Sequence, residues 1–290
     1  MARLILRVEK LLRALVLLAC GRVGIGGRGY RLPRGAWRLV RAAAALPHYE
    51  PDVKAILRRL LRQRDGAVLD VGANVGQTLL CVLEIDPARR YVGAEPQATA
   101  TAGISAFLGA NRMHDHTILT IGLSDDDGFA DLGLSHANDL AASIHTEFRP
   151  EGFYATRMPV PVFRGDTVLA ALDSPAVGVI KIDVEGAEHL VLAGLNGTIA
   201  RDRPHIVFEL LPDVLMRDGS ALDGETIARR EEVRAAIAAF FAGHDYTYCL
   251  VAEDGTLDHR AALAPAARRI RNYVAVPSEM LEDTHGRGGD

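Results

Sequence analysis

Residues 67–84 read AVLDVGANVGQTLLCVLE. An apolar, β-rich run reaches Asp70, the chain turns through Gly72, Asn74 and Gly76, and a leucine-rich helical run follows. Strand, glycine turn and helix together form the repeating unit of a parallel sheet. The unit recurs downstream. RYVGAEP (90–96) predicts a second strand and 97–109 a second helix, while HTILTIGLSD (116–125) predicts a third strand. AVGVIKID (176–183) is a fourth, followed by the helix AEHLVLAGLNGTIA (187–200). PHIVFEL (204–210) is a fifth, followed by a long helix over 225–244. YTYCLVA (246–252) and NYVAVP (272–277) close the list as an antiparallel edge. The expected fold is α/β: a mostly parallel seven-stranded sheet, covered on both faces by helices.

In such a sheet, ligands bind beyond the carboxyl ends of the strands, where the strand order reverses. The unusual residues gather at those ends: Asp70–Gly76, Glu95 with Pro96, Ser124 with Asp125, the run from Lys181 through Asp183 and Glu185 to Glu188, and Glu209. A lysine and carboxylates ending an apolar strand are costly to bury unless paired. Lys181 is therefore expected to neutralise a neighbouring carboxylate.

Composition bounds the rest. The chain has 290 residues, 49% hydrophobic and only 6% aromatic. That suits one large core and argues against an aromatic-rich nucleic-acid reader. Cys20, Cys81 and Cys249 have no paired spacing, so no disulfide framework or zinc motif is visible, and a reducing, cytoplasmic setting fits. The net charge of −4 conceals an asymmetry. Residues 1–64 carry a net +12 and the remainder −16, which makes a basic arm on an acidic body.

The arm begins MARLILRVEKLLRALVLLAC. The uncharged run 14–20 is short for a secretory signal, and Arg22 follows at once. An amphipathic helix fits better: Arg3, Arg7, Lys10 and Arg13 make a basic stripe, and Leu4, Val8, Leu11, Leu12 and Leu15 lie toward another face. Packing on its own domain is one role for it, and peripheral membrane contact through residues 1–20 is the other. GIGGRG (24–29) matches a dinucleotide fingerprint as text. Without a β-rich strand before it or a helix after it, it is expected to be a flexible connection. Helices are expected over 36–46 and 50–64.

The first glycine loop identifies a ligand class. Gly72 allows a tight turn, and Gly76 allows close approach to a ligand at a helix start. Asp70 shapes an acidic loop poorly suited to a pyrophosphate and well suited to a cation. S-adenosylmethionine offers a sulfonium and an ammonium and no phosphate. Glu95 is placed to accept from two ribose hydroxyls, as an acid does in a nicotinamide site. A nicotinamide-dependent oxidoreductase and a non-catalytic binding domain on the same sheet are the alternatives at this point. Asp125 is a candidate contact to an adenine amine. His136, Asn138, Asp139 and His145 lie in an insertion over 126–160 that is a candidate substrate-pocket lining. Asp183 and Glu209 are a pair that folding could unite around a divalent ion.

VLDVGANVGQT, AEPQ, GLSDDDG, GDTVLAAL, IKIDVEGAEHLVLAGL, PHIVFEL and NYVAVP, in that order, resemble the FkbM-type family of S-adenosylmethionine-dependent methyltransferases. The resemblance spans residues 66 to 277 and implies a class I methyltransferase fold with O-methylation of a sugar, glycan or natural-product hydroxyl. It implies cofactor contacts at Asp70, Gly72, Asn74, Gly76 and Glu95, with the adjoining Ala73 and Pro96. It places the hallmark strand motif at Lys181, Asp183, Glu185, Gly186 and Glu188. Asp183 is the leading candidate for general base or metal ligand, Glu185 the second, and Lys181 their counter-charge. The expected organisation is a basic helical segment 1–65, a methyltransferase domain 66–280 and a disordered tail 281–290.

Overall fold

The computed structural model describes residues 2–136, 141–211, 221–252, 256–259, 263 and 271–280. The expected tail 281–290, Asn138 and Asp139 lie outside them. The chain starts with helix α1 (Ala2–Cys20), then strands β1 (Arg22–Ile25) and β2 (Arg28–Arg31). These strands pair antiparallel, so GIGGRG is a hairpin and not a flexible connection. The reason is local: Gly26 and Gly27 at the turn both hold positive φ, +54° and +77°. That suits a tight two-residue hairpin turn. Helices α2 (Trp37–Ala45) and α3 (Pro51–Gln63) follow.

The predicted repeats then appear in order. They are β3 (Ala67–Val71), α4 (Gln77–Ile85), β4 (Tyr91–Ala94), α5 (Ala98–Ala110) and β5 (Thr117–Leu119). The third strand expected over 116–125 is two strands, because the chain leaves the sheet after Leu119. β6 (Gly122–Ser124) pairs instead with β8 (Thr156–Arg164), which pairs with β7 (Gly128–Leu134) in a separate three-stranded sheet. The insertion is therefore largely a second small sheet. A Cβ at Gly122 would meet Val162 at 3.1 Å, so this close pairing favours the missing side chain.

Next come α6 (Gly165–Ala171), β9 (Val177–Ile182), α7 (Glu188–Gly194) and α8 (Asn196–Asp202). One helix was expected over 187–200. It divides after Gly194, where a Cβ would lie 1.9 Å from the Ser124 carbonyl oxygen. The rest is β10 (His205–Leu210), α9 (Gly224–Gly243), β11 (Tyr246–Val251), β12 (Leu257–Asp258) and β13 (Arg271–Pro277).

The large sheet has the order β12-β11-β13-β10-β9-β3-β4-β5. β10, β9, β3, β4 and β5 are parallel neighbours. The last strand is not the edge: β13 inserts antiparallel between β10 and β11. From β3 the order runs outward to β4 on one side and to β9 on the other, so the switch point lies between β3 and β9.

Alternation along the strands builds two cores. Val68, Val179, Val207 and Val274 pack with α2 to α5, whereas Leu69, Ile180, Ile182, Ile206 and Phe208 pack with α7 to α9. The first core also contains Ala14, Val23, Leu39, Val53 and Ile56. The basic segment is thus built into the same core as the sheet.

Candidate active site

Three left-handed residues shape the turn between β3 and α4: Gly72 (φ 85°), Asn74 (φ 47°) and Gly76 (φ 89°). At Gly72 the need for glycine is steric, since a Cβ would stand 1.9 Å from the Asp183 carbonyl oxygen. Only glycine lets the tip of β3 lie against the tip of β9. Gly76 has another role than close ligand approach. Its Cβ would meet Leu39 and Ile104 at 3.1 Å, and it does not line the cleft.

Glu95, at the tip of β4, fastens this turn. Its Oε2 accepts from the Asn74 amide at 3.0 Å and its Oε1 from the Gln97 amide at 2.9 Å. Burial raises the carboxyl above its ordinary value, and these two hydrogen bonds and Arg38 offset part of the rise. A cleft of about 1070 Å³ opens above the sheet at the switch point. Gly72, Ala73, Asn74, Glu95 and Pro96 line it from beyond β3 and β4, and Lys181, Asp183, Glu185 and Glu209 from β9, its following turn and β10. Leu123, Leu132 and Ile144 from the small sheet and its connection add an apolar wall.

Lys181 is 4% exposed and pairs with Asp183 Oδ2 at 2.9 Å. Burial alone would lower its pKa. Asp183, Tyr49, Asp70 and Glu50 override that and hold it well above the ordinary lysine value. Glu185 is buried at φ 56° and forms an ion pair with buried Arg149. Glu209 completes a cluster in which oxygens of Asp183, Glu185 and Glu209 all lie within 4.8 Å. Glu209 has no ion-pair partner among the described residues. Burial, then Asp183 and Glu185, push its carboxyl well above the ordinary range.

The sequence of residues 70–225, more than half of the chain, matches the family model described as the methyltransferase FkbM domain. This chain belongs to the FkbM methyltransferase family. It carries an S-adenosylmethionine-dependent methyltransferase domain. Among solved structures it is similar to the methyltransferase FkbM from Methylobacillus flagellatus, at 14% identity and TM-score 0.47, over 91% of this chain and 58% of that one. It is also similar to the O-methyltransferase TomG from Streptomyces achromogenes in complex with SAM (13%, TM-score 0.42, 86% and 92% covered). An O-methyltransferase from Bacillus cereus in complex with SAH gives 11% and 0.42, with 85% and 92% covered. No curated protein matches the chain.

The residues of the FkbM domain fit the cofactor. Asn74 Oδ1 is buried, has no partner among the described residues and belongs to a residue lining the cleft, so it is an acceptor suited to a ligand donor. Several site expectations nevertheless change. Asp70 is not a loop carboxylate. It is 0% exposed in the sheet, accepts from the Tyr91 hydroxyl at 2.6 Å, and lies beside Lys181 across the β3–β9 register. Asp125 is exposed beyond β6 and does not line the cleft, where Gly122 and Leu123 stand instead. Gly186 turns past the Phe148 ring, 2.2 Å from where a Cβ would be, and does not line the cleft. His136 is exposed. His145 contacts the Gly186 carbonyl oxygen at 3.0 Å through Nδ1 and stacks obliquely on His189.

Among the lining residues that went unnoticed in the sequence, two carry charge or a phenol into the cleft. Tyr49 and Glu50 come from the turn before α3 and enter the cleft, with Glu50 at φ 25°. Burial raises the Glu50 carboxyl, Lys181 lowers it and Asp183 raises it again. The one available signal was a carboxylate immediately before Pro51, a helix start in an otherwise basic arm.

Glu188 sets a pH dependence of stability. It is 3% exposed and accepts from the Gly186 amide at 3.1 Å, and burial raises its pKa from 4.5 to about 7. Between those values the folded protein holds a proton that the unfolded chain has released. The resulting stabilisation is complete below about pH 4.5 and is lost as pH rises through 7. His189 acts oppositely. Burial and then His145 lower its pKa from 6.5 to about 4, so it weakens the fold as pH falls through that window. The Glu188 effect is therefore read above pH 7. Glu188→Gln should gain about 2–3 kcal/mol over wild type at pH 8, and less at pH 5. Denaturant melts at the two pH values check this, and an equal difference at both would refute it.

Proposed function

We propose that the protein is an O-methyltransferase that moves the methyl group of S-adenosylmethionine to a hydroxyl of a sugar, glycan or polyhydroxylated natural product. The observation supporting this is the single cleft that joins the Glu95–Asn74 turn to the Asp183 tip of β9. Glu95 and Asn74 would hold the ribose end of the cofactor, and Leu123, Leu132 and Ile144 the adenine. Bound there, S-adenosylmethionine supplies an already activated methyl. The chain's task is then to orient the acceptor in line and to remove its proton. Asp183 is the group for that step. It lines the cleft and has Lys181 beside it to balance charge.

The acceptor end is rich in carboxylates and the Tyr49 phenol. These groups accept hydrogen bonds from many hydroxyls and repel anions. A neutral polyol fits. The cluster of Asp183, Glu185 and Glu209 favours a second reading of the same step, in which a divalent cation held there lowers the acceptor hydroxyl's pKa. The oxidoreductase alternative falls with the family assignment.

A thermal shift tests the cofactor. S-adenosylhomocysteine at a hundred times its Kd should stabilise the protein by about 2.7 kcal/mol, and NADH should not. Glu95→Ala removes the acceptor of two backbone amides and of the ribose hydroxyls. It should weaken S-adenosylhomocysteine binding by about 2–3 kcal/mol, and unchanged calorimetric affinity would sink the assignment.

A further inference from the structure

Helix α1 docks on the core along a narrow stripe and leaves most of its described surface exposed. Ala14 is 0% exposed, and Leu17 packs against the main core. Lys10 lines a groove on that inner side with Trp37, Arg38 and Arg41. The leucines are turned outward: Leu11, Leu12, Leu15, Val16 and Leu18 are 50%, 59%, 49%, 60% and 43% exposed. An amphipathic helix normally buries its apolar face and wets its polar one. A run of large exposed apolar side chains on one helix face marks an interaction surface.

The charge around the patch selects the occupant. Arg13 on α1, Arg22 on β1 and Arg41 on α2, the two elements that contact α1, are exposed, in a segment of net +12. A second copy of the chain would set these arginines against their own kind. An anionic lipid surface would neutralise them while the leucines enter the headgroup boundary. No helix among the described residues is long and apolar enough to cross a membrane, so the helix would lie on the surface. The groove from Lys10 and Leu11, of about 1880 Å³, ends at Tyr49 and Gln77, which also line the cofactor cleft.

We propose that α1 is an interfacial docking helix that seats the enzyme on an anionic membrane surface. The test uses the full chain and vesicles of phosphatidylcholine with about 30% phosphatidylserine, against phosphatidylcholine alone. The intact protein should co-sediment with the anionic vesicles, and raising the salt should weaken that binding by about tenfold or more. Combined Leu12→Gln, Leu15→Gln and Val16→Gln should abolish binding with unchanged Tm, because the three side chains are exposed. Failure of the intact chain to bind anionic vesicles would overturn the proposal, as would binding indifferent to the three substitutions. A concentration-dependent dimer in sedimentation velocity, dissolved by the same substitutions, would give the face to a second copy and overturn it too.

Discussion

Asp183→Asn should lower methyl-transfer turnover by about a hundredfold or more, the usual contribution of a positioned base, while cofactor affinity stays within a few-fold. The amide keeps the shape of the side chain and cannot take a proton from an acceptor hydroxyl. Cofactor contacts are centred on Glu95 and Asn74, beyond β4 and β3. Lys181 loses its 2.9 Å partner but retains Asp70 and Glu50 nearby, so assays belong well below the variant's Tm. Glu209→Gln is the contrasting change. Glu209 is held toward its protonated form by burial and by Asp183 and Glu185, and a neutral amide mimics that form. Its turnover should stay within about tenfold of wild type. Chelator added to the wild-type enzyme separates the two roles of Asp183. Loss restored by magnesium or manganese means a cation ligand, and indifference means a base. Full turnover in Asp183→Asn would return the residue to a structural role.

Asp70→Ala should cost about 3–5 kcal/mol of stability, the scale for removing one partner of a buried charged pair. Native domains have about 5–15 kcal/mol in total. The substitution orphans the Tyr91 hydroxyl, now bonded at 2.6 Å, and takes a carboxylate from buried Lys181. Urea unfolding at neutral pH measures the loss. The double variant Asp70→Asn with Lys181→Met should lose less than the sum of its single changes, because both members of one interaction are removed together. A stable Asp70→Ala protein that fails only to bind cofactor would make Asp70 a ligand contact after all.

Much of the fold was written locally. Apolar runs of strand length followed by helical periodicity gave the order of β3, β4, β9 and β10 with their helices, since both periods are properties of neighbouring residues. The charged tips of those strands could be found for the same reason. A lysine and carboxylates inside an apolar run mark either a functional site or a structural ion-pair cluster at a parallel strand end, and Lys181 and Asp183 do meet there. Gly72 was also legible, because its positive φ belongs to a turn visible in the sequence.

What the sequence left open was decided across long separations. Asp70 and Asp183 look alike at strand tips, yet one is sealed between β4 and β9 and the other opens on the cleft. That difference depends on which strands flank each residue. Tyr49 and Glu50 reach the cleft only because α2 and α3 share a core with α4 and the sheet. The third strand parted because its second half found a partner in β8, about 40 residues away. For α1, periodicity showed that the helix has an apolar face and a basic one, but not which residues would dock. The docking of Ala14 and Leu17 onto the core settled that. A helical pattern fixes relative angles around its own axis, and only contact with another element fixes the absolute direction.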